Sequence, residues 1–339
     1  MKDILNYNLK AHNTFGIDAS CRRYVEFDTA QEAINALPAI YAEGEPMLIL
    51  GGGSNLLLTA DFPGTVVRSA IHGVYSAPSD DGESVLLCCG SGEVWDDVVA
   101  TCVEHGWHGA ENLSLIPGEV GASAVQNIGA YGAEAKDLIQ EVEAVEIETG
   151  RLVTMRGADC GYGYRDSRFK HEWKNRFFIT AVTYRLSREF RPQLDYGNIR
   201  HELEARGIDH PTPWQLRQVI IDIRQAKLPD PAVEGNAGSF FVNPVVPREV
   251  LLRIQKEYDQ VPFYEVDCDR VKIPAGWLIE QCGWKGRSLG RAGVHSRQAL
   301  VLVNRGGATG QEVLTLCNAV KDDVKNRFGI DIYSEVNII

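Results

Sequence analysis

The chain has 339 residues, of which 44% are apolar and 24% charged, as in a folded globular protein of two or three domains. Its formal net charge of −12 argues against nucleic acid or an anionic membrane as a partner of the whole molecule, so an anionic ligand requires a local basic pocket. The eight cysteines form no Cys-x-x-Cys pair, and no apolar run approaches ~20 residues. The first residues also lack the apolar segment of a signal peptide. We therefore expect reduced thiols and a cytoplasmic protein, with no metal site at the single close histidine pair, His105 and His108.

The first third of the chain predicts a strand–helix–strand unit after a turn at residues 13–16. Thr29 and Glu32 have the spacing of a capping box, and apolar residues follow at helical spacing as far as Gly44. Apolar runs at 47–50 and 65–68 predict strands. The run at 84–89 predicts a buried strand, and the spacing over 94–104 predicts a helix that ends near Gly106.

The middle third mixes strands and helices. Alternation at 142–147 and 152–155 around a turn predicts a hairpin, and 177–186 predicts a further strand. Thr212 followed by a proline and Gln215 predicts the start of a helix. Its predicted buried face carries Leu216, Val219, Ile220 and Ile223. The prolines at 229 and 231 mark the predicted domain junction.

The last third predicts a helix near 276–282, a strand at 299–303 and a long helix capped by Thr309 and Glu312. The buried face of that helix is predicted to carry Val313, Leu316, Val320 and Val324, and the helix to end at Gly329. A strand over 332–338 completes the prediction, with Ile332, Val336 and Ile338 on one face and Tyr333, Glu335 and Asn337 on the other. The mixture of elements favours an α+β fold.

Two glycine-rich segments, 51–55 and 115–132, offer backbone where side chains would usually fill a core. Glycine permits close approach of a ligand, and successive exposed N–H groups form an anion-binding concavity. Gln126 and Asn127 add amide groups suited to a polar heterocycle. The pattern predicts two walls of a cradle for a large phosphorylated cofactor, although a pair of tight turns with close helix packing has the same pattern. The chain lacks the P-loop motif, and its glycine spacing does not support a Rossmann fingerprint.

Three further stretches carry side chains that could take part in catalysis: Arg165 among aromatic residues and glycines, Ser239 on a glycine-rich turn, and Glu335 in the final strand. Each also has an ordinary interpretation. Arg165 can pair with Asp166 at the surface, Ser239 can cap a turn, and Glu335 can be a solvated strand residue.

Seven ordered motifs resemble those of the UDP-N-acetylenolpyruvoylglucosamine reductases, the flavoenzymes that complete UDP-N-acetylmuramate in peptidoglycan synthesis. The motifs are GGGSN at 51–55, SLIPG at 114–118, QNIGAYG at 126–132, GYRDS at 163–167, KLPD at 227–230, GNAGSFF at 235–241 and AGWLI at 275–279. The similarity extends over about 13–335, and the stretch around Tyr264 resembles the type I branch, which has a tyrosine loop over the substrate. One departure is Asn337, where the family pattern has an arginine.

The resemblance implies an FAD-binding fold of the vanillyl-alcohol-oxidase type in two α+β subdomains, plus an α+β substrate-binding domain. The first subdomain is expected at 1–73 with 333–339, the second at 74–228, and the substrate domain at 229–332. It also implies that FAD is held without a covalent bond, that NADPH is the electron donor, and that the UDP-sugar is the substrate. We expect a monomer.

The resemblance further implies roles for individual residues. The matching catalytic positions are Arg165, Ser239 and Glu335. The matching FAD-binding positions are Gly51, Gly52, Gly53, Ser54, Asn55, Pro117, Gly118, Gly121, Ala122, Ser123, Asn127 and Gly129. The matching positions for the UDP-sugar are Tyr164, Tyr196, Lys227, Asn243, Tyr264 and Gln298.

In the implied reaction, hydride reaches the terminal vinyl carbon of the substrate and negative charge develops on its carboxylate. Arg165 can stabilise that charge with a planar fork of donors, and Ser239 can deliver the proton to the neighbouring carbon. Glu335 contributes either as a protonated acid or by polarising Arg165 or a water. Two other interpretations are a flavin oxidase or dehydrogenase of the same fold with another substrate, and a non-catalytic UDP-sugar-binding protein.

Overall fold

The computed structural model describes residues 1–339. Its strands are β1 (Lys2–Asn8), β2 (Ser20–Phe27), β3 (Met47–Leu50), β4 (Leu56–Leu57), β5 (Phe62–Ser69), β6 (Val74–Pro78), β7 (Ser84–Gly90), β8 (Gly129–Ala130), β9 (Ala133–Glu134), β10 (Ile139–Glu146), β11 (Arg151–Arg156), β12 (Phe177–Ser187), β13 (Gly235–Ser239), β14 (Val245–Pro247), β15 (Tyr264–Glu265), β16 (Arg270–Lys272), β17 (Ser288–Leu289), β18 (Ala292–Val294), β19 (Val301–Asn304) and β20 (Asn337–Ile338). The helices are α1 (Ala30–Ala42), α2 (Trp95–His105), α3 (Val120–Gln126), α4 (Ile199–Ala205), α5 (Pro213–Lys227), α6 (Arg248–Ile254), α7 (Ala275–Gln281) and α8 (Gly310–Phe328).

The chain forms two compact units. The first consists of Met1–Tyr7, Cys21–Gly52 and Pro63–Ala226, and the second of Asn8–Ser20, Gly53–Phe62 and Lys227–Ile339. The division after Ala226 coincides with the end of α5, just before Pro229. The division into three domains stays a prediction.

The first unit is built on two sheets. One has the order β1-β2-β5-β3, with β3 and β5 parallel, and the other has the antiparallel order β11-β10-β12-β7-β6. Helix α1 packs its apolar face on the first sheet, where Leu37 contributes to a core with Phe27 and Val67. Helices α2 and α3 pack against the second sheet around the fully buried Trp95. The burial of these apolar faces is the main stabilising contribution in this unit.

The second unit contains a sheet of order β13-β19-β18-β17, a three-stranded sheet β14-β16-β15 and the parallel pair β20-β4. Helix α8 begins with the predicted capping box, since Thr309 Oγ1 accepts from Glu312 N and Glu312 Oε2 accepts from Thr309 N. Its predicted apolar face is buried. Helix α5, in the first unit, likewise begins with reciprocal hydrogen bonds between Thr212 and Gln215.

The predicted final strand is wrong in extent. Only β20 has strand geometry, and residues 333–335 instead form separate main-chain bonds to the segment that follows β13. Val242 N donates to Tyr333 O at 2.9 Å and Glu335 N donates to Phe240 O at 2.8 Å, both ordinary lengths for main-chain bonds. The segment therefore changes partner part-way, from Phe240–Val242 to β4, and cannot form one continuous ladder. The predicted alternation still holds, because Ile332 and Val336 are buried while Tyr333 is exposed.

All eight cysteines are free thiols. No helix combines the length and the apolar character that crossing a membrane requires.

Candidate active site

The two glycine-rich segments meet in the first unit. Strand β3 ends at Leu50, and Gly51 and Gly52 follow directly. A Cβ on Gly52 would lie 3.3 Å from the Cα of Gly118, and a Cβ on Gly51 would lie 3.5 Å from the Cβ of Ala122. The contact between Gly52 and Gly118 is therefore backbone against backbone, and a side chain on Gly52 would crowd it. This cradle fits the hypothesis that main-chain groups hold a nucleotide.

Helix α3 is held close to β7 and β12 by its small residues. Gly121 N donates to Ser91 O at 2.9 Å, and a Cβ on Gly121 would lie 3.0 Å from the Cβ of Ser91. Ser123 is buried, and its hydroxyl donates to Val120 O and lies 2.7 Å from the Tyr184 hydroxyl. The structure thus places Ser123 in the core of the first unit.

Asn127 connects the second glycine segment to the loop that carries Arg165. It ends α3 in the left-handed region, with φ of 43°, and is fully buried. Its Nδ2 donates to Gly163 O at 2.6 Å, and its Oδ1 accepts from Lys136 N at 3.0 Å. Both ends of this amide therefore bind the chain itself, and they fix the position of Gly163.

Arg165 occupies a strained turn. Gly163 and Asp166 exchange main-chain hydrogen bonds, so Tyr164 and Arg165 form the tip, and Arg165 has a φ of 54°. Non-glycine residues adopt this conformation at an energetic cost, which is characteristic of functional sites. Arg165 Nη2 donates to Gly129 O at 2.5 Å, and the guanidinium lies 5.4 Å from the centre of the Tyr164 ring. A Cβ on Gly129 would lie 2.9 Å from Arg165 Nη1, so glycine at this position leaves room for the guanidinium.

Arg224 is a partly buried cation that the sequence patterns did not reveal. Its Nε is buried and has no hydrogen-bond partner. Burial lowers the pKa of Arg224, and the charge of Arg165 lowers it further, although Tyr131 and Asp96 oppose this. Arg224 follows Leu216 and Ile220 at intervals of four residues on α5, so an arginine on an apolar stripe was the signal that could have identified it.

Tyr196 lies beside the second glycine segment. A Cβ on Gly132 would lie 3.4 Å from the Tyr196 Cβ, and a Cβ on Gly197 would lie 3.4 Å from Cδ1 of Tyr131. The rings of Tyr164 and Tyr196 are half exposed. The first unit thus groups two predicted substrate tyrosines with the motif that contacts Arg165.

In the second unit, a β-bulge determines the position of Ser239. Asn236 pairs with Val303 and Ser239 with Val301, so β13 has one extra residue between these two pairs. Gly238 has a φ of 68°, which suits glycine, and its N–H donates to Asn236 Oδ1 at 2.9 Å. Bulges of this kind redirect a side chain and are common beside active sites.

Glu335 lies on the segment next to Ser239. Its N–H donates to Phe240 O at 2.8 Å, so the main chain of Glu335 is bonded to the residue that follows Ser239. Asn55 Nδ2 donates to Glu335 O at 3.4 Å. Asn337 binds the same turn, since its Nδ2 and its N–H both donate to Asn55 O, at 3.1 and 3.2 Å. At this position, an amide bound to a main-chain carbonyl replaces the arginine of the family pattern.

Residues 53–55, the rest of the first glycine segment, belong to the second unit. Gly53 has a φ of 63°, and a Cβ there would lie 2.0 Å from His12 O. Its carbonyl accepts from Thr14 N at 3.1 Å. The turn over 53–55 is therefore held by the chain around residues 12–14 and by the final residues 335–337.

Two of the predicted UDP-sugar positions lie at the start of α7. Asn243 Oδ1 accepts from Ala275 N at 2.9 Å, and Gln298 Oε1 lies 3.4 Å from where a Cβ on Gly276 would be. Tyr264 is half exposed and pairs in register with Lys272. Lys227 is exposed at the end of α5. Arg165, Tyr164 and Tyr196 belong to the first unit, and Ser239, Glu335 and these four residues to the second.

A comparison with protein families gives the class of this protein. Residues 21–156 match the model of an FAD binding domain, and residues 230–339 match that of the C-terminal domain of UDP-N-acetylenolpyruvoylglucosamine reductase. The chain is a flavoprotein oxidoreductase with an α+β fold and an FAD-binding domain of the vanillyl-alcohol-oxidase type. The glycine cradle, in which a Cβ on Gly52 would contact Gly118, fits this cofactor.

Individual relatives narrow the class to a family. The UDP-N-acetylenolpyruvoylglucosamine reductase of Bacteroides fragilis is 54% identical over 334 residues, which cover 98% of this chain and 99% of the relative. That of Chromobacterium violaceum is 48% identical over 335 residues, covering 98% and 97%. The chain belongs to the UDP-N-acetylenolpyruvoylglucosamine reductase family. The crystal structure of the Thermus caldophilus reductase has the same fold, with a TM-score of 0.68 at 22% identity over 99% of this chain and 98% of that one.

These comparisons confirm the predicted family, the fold class and FAD as the cofactor. The individual site residues stay predictions.

Proposed function

We propose that the chain uses NADPH to reduce the enolpyruvyl group of UDP-N-acetylglucosamine enolpyruvate, giving UDP-N-acetylmuramate in the cytoplasmic stage of peptidoglycan synthesis. The observation that supports this most strongly is the near-full-length similarity to reductases named for that substrate. The proposal includes the division into FAD subdomains 1–73 with 333–339 and 74–228, a substrate domain at 229–332, and a monomeric protein.

The cofactor is proposed to lie against both glycine segments without a covalent bond. The residues that would hold it are Gly51, Gly52, Gly53, Ser54, Asn55, Pro117, Gly118, Gly121, Ala122, Ser123, Asn127 and Gly129. When bound there, FAD would supply the hydride-transfer chemistry between NADPH and the substrate. The backbone contact between Gly52 and Gly118 supports this assignment.

Arg165 is proposed to stabilise the charge that develops during reduction. Hydride addition to the terminal vinyl carbon moves an electron pair toward the substrate carboxylate, and a guanidinium binds a carboxylate with two parallel donors. Such stabilisation accelerates the reaction only as far as it exceeds that of the ground state. The strained φ of Arg165 and its bond to Gly129 O support a position fixed before the substrate binds.

Ser239 is proposed to give the proton to the carbon next to the one that receives hydride, so that one hydride and one proton saturate the double bond. The bulge at Gly238 supports a specific orientation for this hydroxyl. Glu335, whose main chain is bonded to Phe240, is proposed to assist either as an acid or by polarising Arg165 or a water. Lys227 would supply positive charge to the diphosphate, with Tyr164, Tyr196, Asn243, Tyr264 and Gln298 as further UDP-sugar contacts.

The test separates the two half-reactions under anaerobic conditions in stopped flow. We expect NADPH to bleach the yellow flavin, and UDP-N-acetylglucosamine enolpyruvate to restore the colour without oxygen. Ser239→Ala should leave bleaching nearly intact and slow the return of colour by about 10²-fold or more, the usual contribution of a proton donor. Ser288→Ala is the matched control, since Ser288 is an exposed serine on β17 of the same unit.

Two results would count against the proposal. Colour that does not return with this substrate in the unmodified protein would contradict the substrate. Equal slowing of both half-reactions in Ser239→Ala would contradict the proton-donor role.

A further inference from the structure

A network of buried ion pairs lies in the first unit, centred on Arg68. Its Nη1 donates to Glu26 Oε2 at 2.7 Å, and its Nη2 donates to Glu119 Oε1. Both carboxylates are buried, with exposures of 3% for Glu26 and 7% for Glu119. The family resemblance assigns no role to any of the three residues.

Arg68 lies beside the first glycine segment, and Glu119 belongs to the second. Arg68 stands opposite Leu50 in the parallel register of β3 and β5, and Leu50 directly precedes Gly51. Glu119 directly follows Gly118 and is the N-cap residue of α3. Its second oxygen, Oε2, lies 3.5 Å from where a Cβ on Gly51 would be. The ion pair therefore links the sheet beside the first glycine segment to the second glycine segment.

Glu26 holds the other end of the Arg68 guanidinium. It also accepts from the Tyr24 hydroxyl at 2.6 Å and pairs with Lys2. Burial opposes the ionisation of Glu26, but these donors outweigh it and lower its pKa to about 2. Burial has the larger effect on Glu119 and raises its pKa, while Arg68 lowers it. Glu26 therefore binds Arg68 as a carboxylate, whereas the ionised form of Glu119 depends on the charge of Arg68.

Stability alone does not explain this arrangement. A buried ion pair seldom stabilises a protein more than apolar residues of the same volume would, because both charges lose their hydration. What the pair does here is fix geometry. It restrains the main chain at Gly118 and Glu119, where a Cβ on Gly52 would lie only 3.3 Å from the Gly118 Cα.

We propose that Glu119 is a positioning residue for the flavin nucleotide, and that its bond to Arg68 keeps the two glycine segments in the arrangement that binds FAD. A cradle assembled before binding avoids the ordering cost that a loose one incurs when it binds its ligand. This inference concerns FAD binding only and holds whichever substrate the enzyme reduces.

The direction in which FAD affinity changes when Glu119 loses its charge distinguishes a positioning role from simple charge repulsion. The diphosphate of FAD is anionic, so a carboxylate that acted only through its charge would weaken binding, and its removal would strengthen binding. If Glu119 instead positions the glycine segments, its substitution should weaken FAD binding. Glu119→Gln keeps the size of the side chain and removes the charge, so it is the informative substitution.

The experiment titrates FAD into the full-length apoprotein, with flavin fluorescence as the signal and without NADPH or substrate. We expect Glu119→Gln to raise the dissociation constant of FAD about tenfold, equivalent to ~1.4 kcal/mol. Glu146→Gln is the matched control. Glu146 lies on β10 in the same unit, is 8% exposed and pairs with Arg151 and Arg176, but it contacts neither glycine segment. Its substitution should leave the dissociation constant unchanged.

Thermal unfolding of both apoproteins completes the test. Comparable losses of stability with weaker FAD binding only in Glu119→Gln would support positioning. Unchanged or tighter FAD binding in Glu119→Gln, or equal weakening in both variants, would overturn it. If Glu119→Gln does not fold, the triple variant Glu26→Gln, Arg68→Met and Glu119→Met removes all three charges together, so that neither carboxylate is left buried without Arg68. It should fold and bind FAD about tenfold more weakly, and normal FAD binding would overturn the inference.

Discussion

Replacing Ser123 with alanine should destabilise the first unit and leave FAD binding nearly unchanged. The family resemblance assigns Ser123 to the cofactor, yet its side chain is 1% exposed and lies in the core. Its hydroxyl donates to Val120 O at 2.7 Å and lies 2.7 Å from the Tyr184 hydroxyl. Tyr184 is itself buried and packs against Trp95, with ring centres 5.4 Å apart.

The expected loss of unfolding free energy follows from counting hydrogen-bond partners. Ser123→Ala leaves the buried Tyr184 hydroxyl without the partner it has in the structure, which costs about 1–3 kcal/mol. Tyr184→Phe leaves the Ser123 hydroxyl bonded to Val120 O, so we expect a smaller loss of about 1 kcal/mol. In the double variant no hydroxyl is left unpaired, and the two losses should not add. The expected coupling energy is about 1 kcal/mol.

Urea unfolding of the apoprotein and FAD titration give the two readouts for this double-mutant cycle. The dissociation constant of FAD should stay within about twofold, since the Ser123 hydroxyl is bound within the core and the main chain of Ser123, which is what would contact the cofactor, is unchanged. If Ser123→Ala instead weakened FAD binding tenfold or more at unchanged unfolding free energy, Ser123 would be a direct cofactor contact and the reasoning would be refuted.

Two further predictions concern stability. Thr309→Ala should cost about 1 kcal/mol in urea unfolding because it breaks the capping box with Glu312, whereas Thr315→Ala, at an exposed position of the same helix, should cost less. Burial opposes the ionisation of Glu26, but its donors lower the pKa from 4.5 to about 2, so this group stabilises the fold above about pH 4.5 and loses that contribution as the pH falls toward 2. Acid unfolding of Glu26→Gln should accordingly depend less on pH over this interval, and an unchanged pH dependence would contradict the assignment.

Helices with clear end signals could be predicted from the sequence. Thr309 and Glu312 mark the start of α8, and Gly329, in the left-handed conformation, its end. Thr212 and Gln215 mark the start of α5 in the same way. These signals are local, since each hydrogen bond joins residues three apart in the chain. The hairpin of β10 and β11 was also predicted correctly, because its two strands are joined by a short turn and pair with each other.

The extent of the last strand could not be predicted in this way. Its alternation of buried and exposed residues is local, and Ile332 and Val336 are buried as expected. Which strands the segment pairs with depends on the packing of the second unit. Main-chain bonds from Glu335 to Phe240 and from Asn337 to Asn55 join residues distant in sequence, and they divide one predicted strand into two attachments.

In the candidate site too, some features follow from local sequence and others only from tertiary packing. Arg165 and Ser239 were predicted from ordered motifs and Glu335 from the family resemblance, but the positive φ of Arg165 and the bulge before Ser239 became visible only in the structure. Arg224 was missed because a single arginine on an apolar helical stripe is a weak signal until its Nε is seen to be buried without a partner.

The sequence by itself determined the family, the flavin cofactor and most of the helices and strands, because motifs and periodicity are properties of neighbouring residues. Only the tertiary structure decided that Asn127 and Ser123 are bound within the chain and that Arg68 joins Glu26 to Glu119. Those contacts join residues as far as 61 positions apart, and their existence depends on which surfaces pack together when apolar area is buried.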